Sequence, residues 1–241
     1  MIDFEKIIQI AKTSQSRIEN VVREYIQHLF LFYFYQQRGS ENVLFKGGTA
    51  LKIIYQSPRF SEDLDFSSAN FLTKKKIEDL FLNTLLNMGK ENIEIETKES
   101  KFTSGGFLGI IFYSVYGFKN EIFFEVSFRK KKLKKEIITV ISDYLPPYIL
   151  FQLSPEEIVR EKIMALLKRG KPRDYYDVYF ILRHPILRKY LKESELKAVK
   201  ENLKKTEINF KKELSVLLPQ THHQVLKNFK RNFLSEIEKY L

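Results

Sequence analysis

The sequence predicts an α/β core followed by a helical C-terminal region. Short β-rich segments between residues 43 and 128 alternate with helical ones, whereas everything beyond Ser154 keeps helical periodicity. Pro146-Pro147 breaks the chain between these regimes, so the expected division is 1–150 for the core and 151–241 for the helical region. A length of 241 residues accommodates one large domain or a core with a smaller second one.

In chain order, Ile18, Val21, Val22, Tyr25, Ile26, Leu29, Phe32 and Tyr33 recur at helical spacing. They predict a helical lead-in from Phe4 to Gln37, ended by Arg38-Gly39-Ser40. Val43 to Lys46 is a short apolar run, and Thr49 to Tyr55 reads as a short helix, so Gly47-Gly48 occupies a strand-to-helix turn. Further strands are expected at Leu64 to Ser67, Ile93 to Thr97, Leu108 to Tyr116 and Ile122 to Phe128, with a helix from Lys74 to Asn87 between the first two. Beyond the boundary, Ser154, Pro155 and Glu157 spell a capping box with proline at the first helical position, and Gly170 ends that helix. A new helix opens near Pro172.

Composition narrows the function. Hydrophobic residues make up 44% of the chain, enough to build a core without metal or disulfide staples. The longest nearly pure apolar run, Leu29 to Tyr35, is far short of the ~20 residues that cross a bilayer, so no membrane span is expected. The opening Met1-Ile2-Asp3-Phe4-Glu5 lacks a basic leader, an apolar stretch and a cleavage site, and a cytoplasmic location is expected. The absence of cysteine removes thiol nucleophiles and thiolate zinc sites, and four histidines argue against a histidine cluster. The 41 lysines and arginines against 30 acidic residues give a net charge of +11, as a polyanion-binding surface would.

Two stretches carry chemistry. In residues 45 to 66, Gly47-Gly48 at a helix start lets backbone N–H groups converge on an anion, and Thr49 adds a hydroxyl. Asp63 and Asp65, two apart on an extended strand, share a face, while Leu64 and Phe66 point into the core. Two such carboxylates repel unless a cation joins them, which suits one or two Mg²⁺ ions. In residues 154 to 182, Lys162 falls within the buried arc of its helix, defined by Ile158, Val159, Ile163, Ala165 and Leu166, whereas Lys168 lies outside it. It either snorkels outward or meets an anion. On the following helix Asp174 and Asp177 lean toward the apolar face. Glu125 lies on the opposite side of its strand from Ile122, Phe124, Val126 and Phe128, and is a candidate third carboxylate. Arg129, Lys130, Lys131, Lys132, Lys134 and Lys135 follow that strand and form a candidate RNA-binding run.

At these residues the sequence resembles the AbiEii family of nucleotidyltransferase toxins, relatives of the MenT toxins within the polymerase-β-like superfamily. The resemblance rests on Lys46-Gly47-Gly48-Thr49-Ala50-Leu51, on Arg59 to Phe66, on Glu161-Lys162 with Ala165-Leu166, and on Arg173-Asp174-Tyr175-Tyr176-Asp177. It implies a polymerase-β-like nucleotidyltransferase core with a small mixed sheet. It also implies Mg²⁺-dependent transfer of a nucleoside monophosphate from an NTP to an RNA acceptor, commonly the tRNA 3′ end, and a cognate antitoxin. Carried over by position, Lys46, Gly47, Gly48 and Thr49 would bind the nucleotide, Asp63 and Asp65 would hold metal, and Lys162 would steady the triphosphate. Asp177, with Asp174, would complete the site, and Glu125 has no firm motif behind it.

The alternatives are a non-catalytic basic RNA- or protein-binding module and a haloacid-dehalogenase-type phosphatase. The second requires a long buried strand before its aspartyl loop, for which Arg59-Phe60-Ser61-Glu62 is too polar.

Overall fold

The computed structural model of the protein describes residues 1–69, 72–129 and 133–241. The chain divides into two compact units. One comprises Met1–Gln56 and Phe60–Leu153, the other Ser57–Arg59 and Ser154–Leu241.

The first unit opens with two helices where one lead-in was expected, α1 (Phe4–Thr13) and α2 (Ile18–Tyr35). Gln15, at φ +50°, turns the chain between them, and the Ser14 hydroxyl donates to the Ile10 carbonyl at 2.7 Å to close α1. There follow β1 (Val43–Lys46), α3 (Gly47–Ile53), β2 (Leu64–Ala69), α4 (Lys74–Gly89), β3 (Glu94–Thr103), β4 (Gly106–Val115), β5 (Phe118–Arg129), β6 (Lys135–Val140) and β7 (Tyr148–Leu153). The seven strands form one mixed sheet in the order β3-β4-β5-β2-β1-β7-β6. β2 runs antiparallel to β1 and parallel to β5, and β7 runs parallel to β1.

Alternation explains β5, where Ile122, Phe124 and Val126 are buried and Glu125 between them is exposed. Phe124 anchors an aromatic core, with its ring centroid 4.9 Å from Phe66, 5.2 Å from Phe30 and 5.2 Å from Phe81. Each such fully buried side chain contributes roughly 1.5–3 kcal/mol, and together they hold α2 and α4 against the sheet. Two strands lie outside the sequence expectation. β6 has little alternation of its own and exists by pairing with β7 from Lys135↔Leu153 to Val140↔Tyr148. β7 begins immediately after the proline pair that signalled a break, because Pro146-Pro147 ends a loop there and not the unit.

The second unit is helical, with α5 (Pro155–Lys168), α6 (Pro172–Arg183), α7 (Glu193–Lys205), α8 (Phe210–Leu217), α9 (His223–Leu226) and α10 (Phe229–Glu238). Its core joins Phe229 to Phe210 at 4.8 Å and to Tyr179 at 5.3 Å. The capping box expected at the start of α5 does not form. Ser154 takes the N-cap position, but its hydroxyl is buried without a partner among the described residues, while Glu157 pairs with Arg160. Gly170 does end the α5 region, adopting the left-handed φ of +59° that glycine reaches without strain. Among the described residues no helix is long and apolar enough to cross a membrane.

Candidate active site

In the first unit, the β1–α3 turn and the start of β2 bring the two halves of the first motif together. Lys46 and Asp65 are ladder partners, and Asp65 is in turn paired in register with Glu125 on β5. Gly47 stands at φ +84°, and a Cβ placed there would come within 2.1 Å of Asp65 Oδ2. Only glycine lets the turn pass this close to the carboxylate. Gly48 and Thr49 are buried in the first turn of α3.

Thr49 takes a different part from the one expected. Its hydroxyl, fully buried, donates to the backbone carbonyl of Asp63, so it ties down the acidic segment and is not presented to a phosphate. A second clamp was not foreseen. Gln27 on α2, 2% exposed, donates through Nε2 to the carbonyls of Ser61 at 3.0 Å and Glu62 at 3.1 Å. The signal for it was a polar residue inside the apolar stretch Tyr25 to Leu31 of a helix, where burial demands partners but does not say which.

Glu125 shares the face of Asp65, and its carboxyl is raised above the usual carboxylate range. Desolvation is the main cause, the neighbouring Asp65 charge adds to it, and Lys46 opposes it. Among the described residues no group of three or more histidine, cysteine, aspartate or glutamate side chains is gathered as a metal site. In the ladder Asp65 is flanked by Lys46 on one side and by Glu125 on the other. The Asp63 and Asp65 pair alone still suits Mg²⁺, which is held in nucleotide enzymes by one or two carboxylates, with phosphates and waters filling the rest of its shell.

In the second unit, the second motif condenses around Asp177. Arg59 donates to it twice, Nε to Oδ1 at 2.8 Å and a terminal nitrogen to Oδ2 at 3.0 Å. Lys162 Nζ donates to Oδ2 at 2.6 Å. Lys162 therefore neither snorkels freely nor waits unpaired, because an internal carboxylate aims it. Asp177 and Arg59 are 2% and 3% exposed at their side chains. Burial works against the carboxylate's charge, but the Arg59 guanidinium and the Lys162 ammonium outweigh it and hold Asp177 below the usual carboxylate range. One buried acid thus faces two cations, Arg59 and Lys162.

Asp174 is on the same helix but turned elsewhere. Its Oδ2 accepts from the Lys171 backbone N–H at 3.0 Å and from Arg169 Nε at 3.0 Å, while Oδ1 accepts from Arg169 at 2.5 Å. It locks the N-terminus of α6, and the catalytic part expected for it gives way to that capping one. Arg59 was quoted within the motif but given no role. A buried inward acid such as Asp177 implies a cation, yet no periodicity marks a residue 118 positions upstream as that cation.

The basic run is only partly among the described residues. Lys130, Lys131 and Lys132 lie outside the described residues. Arg129 ends β5, with its Nε 3.4 Å from the Ser67 hydroxyl, and Lys134 is exposed. Lys135 opens β6, bonds the Glu41 carbonyl at 3.1 Å and lies over the Phe151 ring.

The family described as nucleotidyl transferase AbiEii toxin, type IV TA system, matches residues 29–239. No curated protein matches the chain. Among solved structures, MenT4, a nucleotidyltransferase toxin from Mycobacterium tuberculosis H37Rv, superposes with a TM-score of 0.62 at 17% identity, over 96% of this chain and 89% of that one. JHP933 from Helicobacter pylori superposes with a TM-score of 0.59 at 19% identity, over 93% and 96%. At these identities the two likenesses show the fold.

Proposed function

The chain belongs to the AbiEii family of nucleotidyl transferase toxins of type IV toxin–antitoxin systems, and from that premise we propose that it transfers a nucleoside monophosphate from an NTP to an RNA acceptor, with the tRNA 3′ end as first choice. The observation that carries the proposal is the approach of the Gly47 turn to the Asp65 carboxylate, which sets a glycine-lined backbone beside an acidic pair. A metal–triphosphate substrate needs both parts.

In this reading Asp63 and Asp65 hold Mg²⁺, which when bound would neutralise charge developing on the phosphates. Lys46 and the backbone of Gly47 and Gly48 bind the nucleotide, and Lys162 is assigned to the triphosphate by its place in the family motif, Glu161-Lys162 with Ala165-Leu166. Asp177 and Arg59 orient Lys162, and Asp174 fixes the helix that bears Asp177. The acceptor hydroxyl, giving up its proton to solvent, attacks the α-phosphorus in line, the bond from that phosphorus to the bridging oxygen of the β-phosphate breaks, and pyrophosphate leaves. Arg129 to Lys135 would take RNA phosphates, contacts that position a strand without reading bases. An antitoxin encoded with the protein would neutralise it.

The test is incubation of the protein with total RNA, Mg²⁺ and each labelled NTP in turn. Label should enter RNA from one preferred nucleotide and should vanish with Asp63→Asn or Asp65→Asn. Incorporation unchanged by both substitutions would refute the assignment.

A further inference from the structure

We propose that Gln27 is a positioning residue for the acidic pair, holding the segment that carries Asp63 in a geometry the strand ladder does not impose; this rests on the metal reading of Asp63 and Asp65 given above. The two carboxylates are held by different means. Asp65 lies within β2, paired on both sides with Lys46 and Glu125, so the sheet determines where it points. Asp63 precedes the strand, on an irregular stretch running from residue 60 to 63. There three consecutive carbonyls, those of Ser61, Glu62 and Asp63, accept hydrogen bonds from two buried side chains, Gln27 for the first two and Thr49 for the third. Both Nε2 hydrogens of Gln27 are spent on this segment, at 3.0 and 3.1 Å.

The consequence is mechanical. Two like charges two residues apart push each other away, and the ladder resists that push only at Asp65. At Asp63 the resistance comes from the carbonyl clamps. Removing the Gln27 amide frees the segment to relax away from Asp65, so the pair loses its fixed spacing while the fold around it persists. Loss of such an outer support typically costs 10–100-fold in metal affinity or activity.

Manganese(II) serves as the probe, with free ion followed by electron paramagnetic resonance in titrations of the full-length chain. The wild type should bind Mn²⁺, and Asp65→Asn should not. Gln27→Met, isosteric but without donors, should bind at least about tenfold more weakly, and Thr49→Val should do the same. In the transfer assay both should lower kcat with the KM for NTP nearly unchanged. Gln37→Met is the control. It removes comparable bonds, to the Leu80 carbonyl at 3.0 Å and the Thr84 hydroxyl at 2.8 Å, from a different part of the same unit, and should bind Mn²⁺ as the wild type does. Wild-type affinity in Gln27→Met and Thr49→Val alongside its loss in Asp65→Asn would overturn the inference. Wild-type affinity in Asp65→Asn would instead overturn the metal reading and remove the platform Gln27 is assigned to serve. Thermal melts identify a variant that fails to fold, and if Gln27→Met does, Thr49→Val decides by the same criterion.

Discussion

Asp177 keeps its charge in a buried setting only because two cations face it. Truncation would remove the carboxylate to which the buried Arg59 donates twice, and breaking a buried ion pair typically costs about 3–5 kcal/mol, so Asp177→Ala should lower the denaturation midpoint of the protein well beyond what a surface substitution does. Urea unfolding checks this, and a loss under ~1 kcal/mol would show that the cluster is idle. His28 makes a pH-dependent prediction. It is buried, its Nδ1 lies 2.9 Å from the Tyr148 hydroxyl, and burial, with a smaller push from Lys52, depresses its pKa from 6.5 to about 3. The folded state therefore holds a neutral imidazole that the unfolded chain would protonate. Its contribution is fully present above pH 6.5 and is lost as the pH falls toward 3, a total of the order of 5 kcal/mol. His28→Gln should flatten the fall of Tm between pH 6.5 and 4, and an unchanged slope would refute the assignment. Such buried partners were only half legible in the sequence. A polar residue amid apolar neighbours announces a need for a partner, but the partners of Gln27 and His28 lie 34 and 120 positions away.

At the scale of elements, the β1–α3 turn and helix α5 carry the sharpest consequences. Gly47→Ala combines an unfavourable φ of +84° with a Cβ 2.1 Å from Asp65 Oδ2. It should reduce transfer by at least about 100-fold, measured as kcat/KM for the NTP, and a variant within a few-fold of wild type would show that the turn has room. On α5, Lys162→Met should raise the KM for the NTP and also leave Asp177 short of one partner, whereas Lys168→Ala should change neither KM nor stability by more than ~0.5 kcal/mol. Equal effects at the two positions would assign Lys162 to the fold alone. Helical periodicity placed Lys162 on the inward arc correctly, because a helix wheel depends only on local geometry. It could not tell a lysine awaiting substrate from one held by Asp177, since that depends on how α5 meets α6.

For the whole molecule the net charge of +11 sets the expectation. Affinity for RNA should fall steeply with salt, because each neutralised phosphate releases counterions. Replacing Lys130, Lys131, Lys132 and Lys134 with alanine should weaken RNA binding for all sequences and flatten the salt slope by up to about 0.7 per lost phosphate contact. NTP binding should stay as it was. Filter binding across a salt series checks the slope, and an unaltered slope would show that the run does not touch RNA. Lys135 is left out of the set because it bonds the Glu41 carbonyl and packs on Phe151, so its loss would also disturb β6.

The sequence by itself determined the glycine turn, Asp65 on β2, the inward lysine of α5 and the α/β-then-α order, since all of these follow from spacing along a single strand, turn or helix, whereas Asp63, expected on the same strand, lies just before it. It did not determine β6 and β7, whose pairing is a property of two segments together and is masked by a charge run and a proline pair. Nor did it determine which hydroxyls and acids are committed to the fold. Thr49 looked like a phosphate ligand and Asp174 like a catalytic acid by residue type and position. Each found its partner only when the chain closed on itself, Thr49 at the Asp63 carbonyl and Asp174 at Arg169 and the Lys171 amide. Hydrogen-bond satisfaction is decided by whatever group burial brings within about 3 Å, and that information exists only in the tertiary structure.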